Sequence, residues 1–136
     1  DRLNIKTGEL VFINAGHESI LTFDKEKNYD YIKSDMPPIG IVKYFTESMV
    51  KSNTINLKDK TFVVYTDGVT EGYLKNGQEL GAEGVQKIID DMPDVTPKNI
   101  VEAIEKELNW GAEKLRDDIT CMAINIANTE LIKKAK

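Results

Sequence analysis

The sequence holds one cysteine and one histidine in 136 residues. A single thiol forms neither an internal disulfide nor a Cys-based metal cage, so we expect a reducing, cytoplasmic setting. A single imidazole excludes sites that need several, the H-E-x-x-H zinc proteases among them. Positive charge is also short: 18 Lys and Arg against 23 Asp and Glu leave −5, which argues against a nucleic-acid surface. The longest apolar runs are four residues, far below the ~20 of a membrane helix. Asp1-Arg2-Leu3-Asn4 has neither the basic start nor the apolar stretch of a secretory signal. No internal repeat or Pro/Gly/Ser-rich linker divides the chain. Any chemistry falls to carboxylates, hydroxyls and amides. What is present, 40% apolar and 30% charged residues, is the composition of a soluble globular chain, and the length suits one domain.

Short strands dominate the first 57 residues. Leu3–Lys6 and Leu10–Ile13 flank Thr7-Gly8, a hairpin signal because Gly accepts positive φ. Ile20–Phe23 and Tyr29–Ile32 flank a charged turn at Asp24–Asn28, and the prolines of Met36–Gly40 make that stretch a loop. A further extended stretch is expected over Phe45–Leu57. Phe62–Tyr65 and Ile119–Ile124 are apolar on both alternating faces, as in strands buried mid-sheet. Between them, Val85, Ile88, Ile89 and Met92 follow the i, i+3, i+4, i+7 rule of a helix face. Thr96-Pro97 is a helix start, Ile100, Val101, Ile104 and Leu108 form its stripe, and Gly111 is its expected stop. Val69–Gly84, with four glycines and few apolar anchors, is expected to open most easily. The polar, basic tail from Asn128 to Lys136 is expected to fray, with Lys133, Lys134 and Lys136 solvated.

Both two-sided strands carry acid at one end. Phe62–Thr66 runs into Asp67-Gly68, and Asp117-Asp118 directly precedes Ile119. A carboxylate at the mouth of a buried strand is costly to desolvate unless a cation or hydrogen bonds compensate it. If the strands are antiparallel neighbours, Asp67 converges with Asp117 or Asp118. Carboxylates without His or Cys are oxygen ligands for hard cations such as Mg²⁺ or Mn²⁺. The spacing fits equally a plain Asp-Gly turn and a solvated Asp-Asp loop.

Tyr65-Thr66-Asp67-Gly68-Val69-Thr70-Glu71 closely resembles the Y-T-D-G-V-T-E signature of the SpoIIE/RsbU-type serine phosphatases, a bacterial branch of the metal-dependent PPM protein phosphatases. Asn14-Ala15-Gly16-His17 is similar to the family's N-A-G-H turn, Pro38-Ile39-Gly40 to its P-L-G element, and Leu115–Thr120 to its closing D-D-I-T motif. Four motifs stand in the family's order across almost the whole chain. Glu18-Ser19-Ile20 departs from the usual N-P-P, and Lys58-Asp59-Lys60 from a common P-G-D turn; both bear on loop shape.

The resemblance implies an α+β fold, part of an α-β-β-α layered sandwich with mainly antiparallel sheets. It implies that residues 1–127 are the C-terminal portion of such a phosphatase domain, whose earlier acid and G-H-G motifs have no counterpart here. Carried over residue by residue, it makes Asp67 and Asp117 metal ligands and catalytic groups, with Gly68 and Asp118 near the same centre. Two Mg²⁺ or Mn²⁺ ions are implied in the complete domain. The implied substrate is a phosphoserine or phosphothreonine protein, an anti-sigma-factor antagonist; the fragment alone would be inactive. Uncovered strands would favour self-association. The alternative is a non-catalytic regulatory or binding module with the same fold. Other residues read more plainly: His17 as a turn residue before a general acid, Cys121 as strand packing, Trp110 as a packed helix end. Thr70 and Glu71 either order the loop after Asp67 or begin a helix.

Overall fold

Residues 2–108 and 118–127 are described by the computed structural model. Seven strands and three α-helices follow one another as β1 (Arg2–Leu3), β2 (Glu9–Phe12), β3 (Ile20–Asp24), β4 (Tyr29–Ile32), β5 (Asn53–Asn56), β6 (Lys60–Tyr65), α1 (Asp67–Thr70), α2 (Gly81–Asp90), α3 (Pro97–Leu108) and β7 (Cys121–Ile124). The strands form a three-stranded sheet, β1-β2-β5, and a four-stranded sheet, β4-β3-β6-β7. Chain contacts divide the molecule into two compact units: Asp1–Phe62 with Ile124–Lys136, and Val63–Ala123.

In the first unit, local turn chemistry sets the hairpins. Asn4 Oδ1 accepts the amides of Lys6 and Thr7 (3.1 and 3.2 Å), which ends β1 at Leu3 and closes the turn into β2. β1 and β2 pair antiparallel with Leu3 opposite Leu10, and β2 pairs antiparallel with β5 with Leu10 opposite Ile55. Asp24 closes the β3–β4 turn by accepting the Asn28 side-chain and backbone N–H groups (2.8 and 2.9 Å). The Asn28 amides hold its carboxyl below the ordinary carboxylate value. Ile20 stands opposite Ile32 in that pair. β3 is buried on both faces, and the sheets meet where Phe12 packs edge-on against Phe62 with ring centroids 5.1 Å apart. Such aromatic contacts add ~0.5–1.5 kcal/mol beyond their buried area.

The second unit carries the helices. α2 buries Val85 and Ile89 and ends at Asp90, so Met92 lies just past it. Thr96 Oγ1 accepts the Asn99 amide (3.2 Å) at the start of α3, and Ile100, Ile104 and Leu108 are its buried stripe. Gly111 and Trp110 lie outside the described residues, as does the tail from Asn128.

Two expectations are corrected. Phe45–Leu57 is not one strand: Thr46–Val50 closes a 3₁₀ turn over Glu47–Met49, and the strand is confined to Asn53–Asn56, paired with β2. Ile119–Ile124 is not mid-sheet: β7 ends the sheet order among the described residues, with Met122 exposed. Its apolar run marks a strand with a neighbour on one side among the described residues. Within Val69–Gly84 the apolar anchors Val69 and Leu80 are buried. No helix among the described residues is long and apolar enough to cross a membrane.

One buried group on β3 has no hydrogen-bond partner among the described residues, the Thr22 hydroxyl. An unpaired buried hydroxyl costs ~1–3 kcal/mol. Thr22→Val keeps the shape and removes the hydroxyl. It is expected to raise the urea-unfolding free energy by about 1 kcal/mol; a loss of stability would count against this account.

Candidate active site

Asp67 sits where β6 stops. Its carboxylate is exposed, its Oδ1 accepts the Gly68 amide (3.0 Å), and Gly68 and Val69 behind it are buried. The Asp67 carbonyl accepts the Glu71 amide (2.8 Å) and the Thr70 hydroxyl (3.1 Å). Asp67–Thr70 is therefore a helical turn, and Thr70 belongs to the ordering of that turn rather than to the start of a longer helix.

The strand bearing the second acidic pair lies beside it. The Thr66 amide donates to the Thr120 carbonyl (3.0 Å), the Thr120 amide donates to Thr66 Oγ1 (3.1 Å), and Thr66 Oγ1 donates to the Asp118 carbonyl (3.1 Å). Further along, Asn125 Nδ2 donates to Thr61 Oγ1 (3.2 Å), and the Ile126 amide donates to the Leu57 carbonyl (2.8 Å). Partner numbers fall as β7 numbers rise, so β6 and β7 run antiparallel and the end of one meets the start of the other. The expected adjacency of Thr66 and Ile119 is thus found. Asp67 and Asp118 are exposed and lie one residue from, or on, the Thr66–Asp118 link. Asp117 lies outside the described residues.

The donor set is oxygen-only, which fits a hard divalent cation in kind. In number it is short: no group of three or more His, Cys, Asp or Glu placed to hold a metal occurs among the described residues.

The other motifs form a separate, well-knit turn in the first unit. Asn14 is buried; its Nδ2 donates to the Glu18 carbonyl (3.1 Å) and its Oδ1 accepts the His17 amide (3.0 Å). The Gly16 amide donates to Ser34 Oγ (2.7 Å), which lies 2.9 Å from the Asn14 carbonyl and 2.8 Å from that of Met36. Gly16 has φ +77°, and a Cβ there would stand 2.8 Å from the Pro38 nitrogen and closer still to its ring. The N-A-G-H and P-I-G elements are thereby two sides of one contact. His17 is exposed, with Nδ1 3.3 Å from the Glu18 carbonyl, the turn role read for it from the sequence. Ser34 and Thr66 were not singled out from the sequence as linking residues. The one available signal for Thr66 was its hydroxyl placed directly before Asp67-Gly68.

This fold, mixed helices with antiparallel sheets, is that of PP2C-type phosphatase domains. The SiaA-PP2C domain of Pseudomonas aeruginosa superposes with TM-score 0.65 at 19% identity, over 88% of this chain and 47% of that one. The manganese-presoaked phosphatase domain of the cell fate determinant SpoIIE from Bacillus subtilis does so with TM-score 0.65 at 14% identity, over 93% and 55%. The family profile of Stage II sporulation protein E (SpoIIE) matches residues 2–127, and the chain belongs to that family. It is also 24% identical over 131 residues to Protein IcfG of Synechocystis sp. (strain ATCC 27184 / PCC 6803 / Kazusa), a match covering 90% of this chain and 19% of that protein. The chain spans about half the length of these solved domains.

Two measurements check these elements, each in its own unit. Gly16→Ala is expected to lower unfolding free energy by about 2 kcal/mol or more, combining left-handed strain with the Pro38 clash. Gly40→Ala, where φ is +93° but a Cβ meets nothing within 4 Å, should cost less. Burial pushes the Cys121 thiol up from its ordinary 9.0 to about 11. The folded chain thus keeps a proton that the unfolded chain releases first, and this contribution to stability is lost as pH rises from about 9 to about 11. Iodoacetamide alkylation of the folded chain should rise through about pH 11, and that of the urea-unfolded chain near its ordinary value. Coincident profiles would refute the burial effect.

Proposed function

We propose that this chain is the C-terminal portion of a metal-dependent phosphatase domain that hydrolyses phosphoserine or phosphothreonine on a partner protein in bacterial signalling. The observation that carries the reading is the meeting of β6 and β7 at their acid-bearing ends, through Thr66 and Asp118. Family membership and the manganese-presoaked relative support the chemistry.

In this reading Asp67 and Asp117 are the ligands and catalytic groups, with the Gly68 backbone and Asp118 beside them. When bound, two Mg²⁺ or Mn²⁺ ions supply an activated water and neutralise charge on the phosphoryl oxygens. The chain's own part is to fix the carboxylates before the ions arrive. Asp67 is held at the first position of a helical turn, with one oxygen engaged by the Gly68 amide. Its exposure lets it meet ion and substrate from solvent. Like charges gathered at two adjoining strand ends repel one another, and a divalent cation relieves that repulsion. Two such carboxylates give only part of the near-octahedral oxygen shell that Mg²⁺ demands. The remaining ligands belong to the rest of the domain, and a cytoplasmic anti-sigma-factor antagonist is the proposed substrate. The edge position of β7 among the described residues supports self-association of the chain when alone.

A second reading, a non-catalytic regulatory module of the same fold, is favoured by the absence of a three-ligand group among the described residues. Hydrolysis of a phosphoserine peptide in millimolar Mn²⁺ separates the two. The complete domain is expected to turn over and to lose more than about a hundredfold on Asp67→Asn, while this chain alone is inactive. Metal binding without turnover by the complete domain would select the regulatory module. Turnover that survives both Asp67→Asn and Asp117→Asn would remove the basis of the functional reading.

A further inference from the structure

At the end of β6 one residue has two obligations. A regular antiparallel pair exchanges two backbone hydrogen bonds, each residue donating its amide and offering its carbonyl. Thr66 meets half of that pattern, since its amide donates to the Thr120 carbonyl at 3.0 Å. Its own carbonyl is engaged elsewhere: it accepts the Val69 amide at 2.9 Å and so opens the helical turn that begins at Asp67. The Thr120 amide is received by the Thr66 hydroxyl, at 3.1 Å. The same hydroxyl donates to the Asp118 carbonyl at 3.1 Å, so the three residues 118–120 wrap around one oxygen atom.

The hydroxyl is diverted to do this. A Thr directly before a helix ordinarily turns its oxygen toward the amides of the first turn, and Thr66 makes no such side-chain cap. Its oxygen instead stands in for the missing ladder acceptor. The chain can thus leave the strand at Asp67 without releasing the strand that carries Asp118.

We propose that Thr66 is a positioning residue of the acidic site: its hydroxyl sets the separation and relative height of the Asp67 and Asp118 backbones, and with them the fit of a divalent cation. The proposal rests on the reading of the acid-bearing ends of β6 and β7 as a cation site. It makes a chemical demand at position 66, a hydroxyl that accepts and donates at once, which Ser meets and isosteric Val does not.

Mn²⁺ titration of the 136-residue chain by NMR tests this through paramagnetic broadening, which registers weak binding. The wild-type chain should show broadening of the Gly68 and Asp118 amide signals, and Asp67→Asn should weaken it. Thr66→Val should shift the titration to about tenfold higher Mn²⁺, the low end of losses seen when groups that orient ligands are removed. Thr66→Ser should titrate like wild type. Broadening that depends on Asp67 but is the same in Thr66→Val would overturn the positioning role and leave the cation reading standing. Broadening that is absent from the wild type, or indifferent to Asp67→Asn, would overturn the cation reading and this inference with it. Amide exchange of the unsubstituted chain gives a check that needs no variant to fold. The Thr120 amide should be protected to the level of β6, and fast exchange there would overturn the hydroxyl's role in the ladder.

Discussion

The carbonyl of Thr66 can serve the strand or the helical turn, and the structure has given it to the turn. That allocation shapes the acidic site. Because the carbonyl accepts the Val69 amide, the chain bends at Asp67 and brings an exposed carboxylate to the sheet's end, with Gly68 and Val69 buried behind it. Because the side chain replaces the carbonyl toward Thr120, the bend does not unzip β6 from β7. A net hydrogen bond contributes only ~1 kcal/mol to stability. Here its larger consequence is geometric, since it holds together two acidic segments that like charge would drive apart.

Much of the fold was legible because short-range chemistry dictates it. Asn4 and Asp24 close their turns with their own side chains, so the flanking strands could be read from alternation and turn residues alone. The two helices announced themselves by apolar period, and Thr96 by its capping hydroxyl. Phe45–Leu57 was misread because extended propensity is a statement about partners as much as residues. Asn53–Asn56 has β2 to pair with, whereas the Met49 and Val50 amides turn back locally onto the Thr46 and Glu47 carbonyls in a 3₁₀ turn. β7 was misplaced for a related reason. A two-sided apolar strand signals burial, but burial by what lies beyond the pattern, and on one side β7 has no neighbour among the described residues.

The candidate site was legible at the level of which strand ends meet. Acid directly after one apolar strand and directly before another suffices to bring Asp67 toward Asp118 once antiparallel pairing is assumed. How they are joined was not legible. The role of Thr66 depends on a competition between two amides, Val69 and Thr120, that exists only after the strands have paired. The same holds for Ser34, eighteen residues from the Gly16 amide it accepts. Its hydroxyl has no local pattern to betray it.

The contact between Gly16 and Pro38 bears on how this domain can change. The space a Cβ would need at the left-handed Gly16 of one loop is filled by the Pro38 ring of the other, so the first loop could not be transplanted without the second. A side chain introduced at the first meets the ring of the second. Residues 14–17 and 36–40 are, in this sense, a single inherited unit written in two places. A chimera that respects strand boundaries but splits that unit would break the molecule where the strand boundaries look safest.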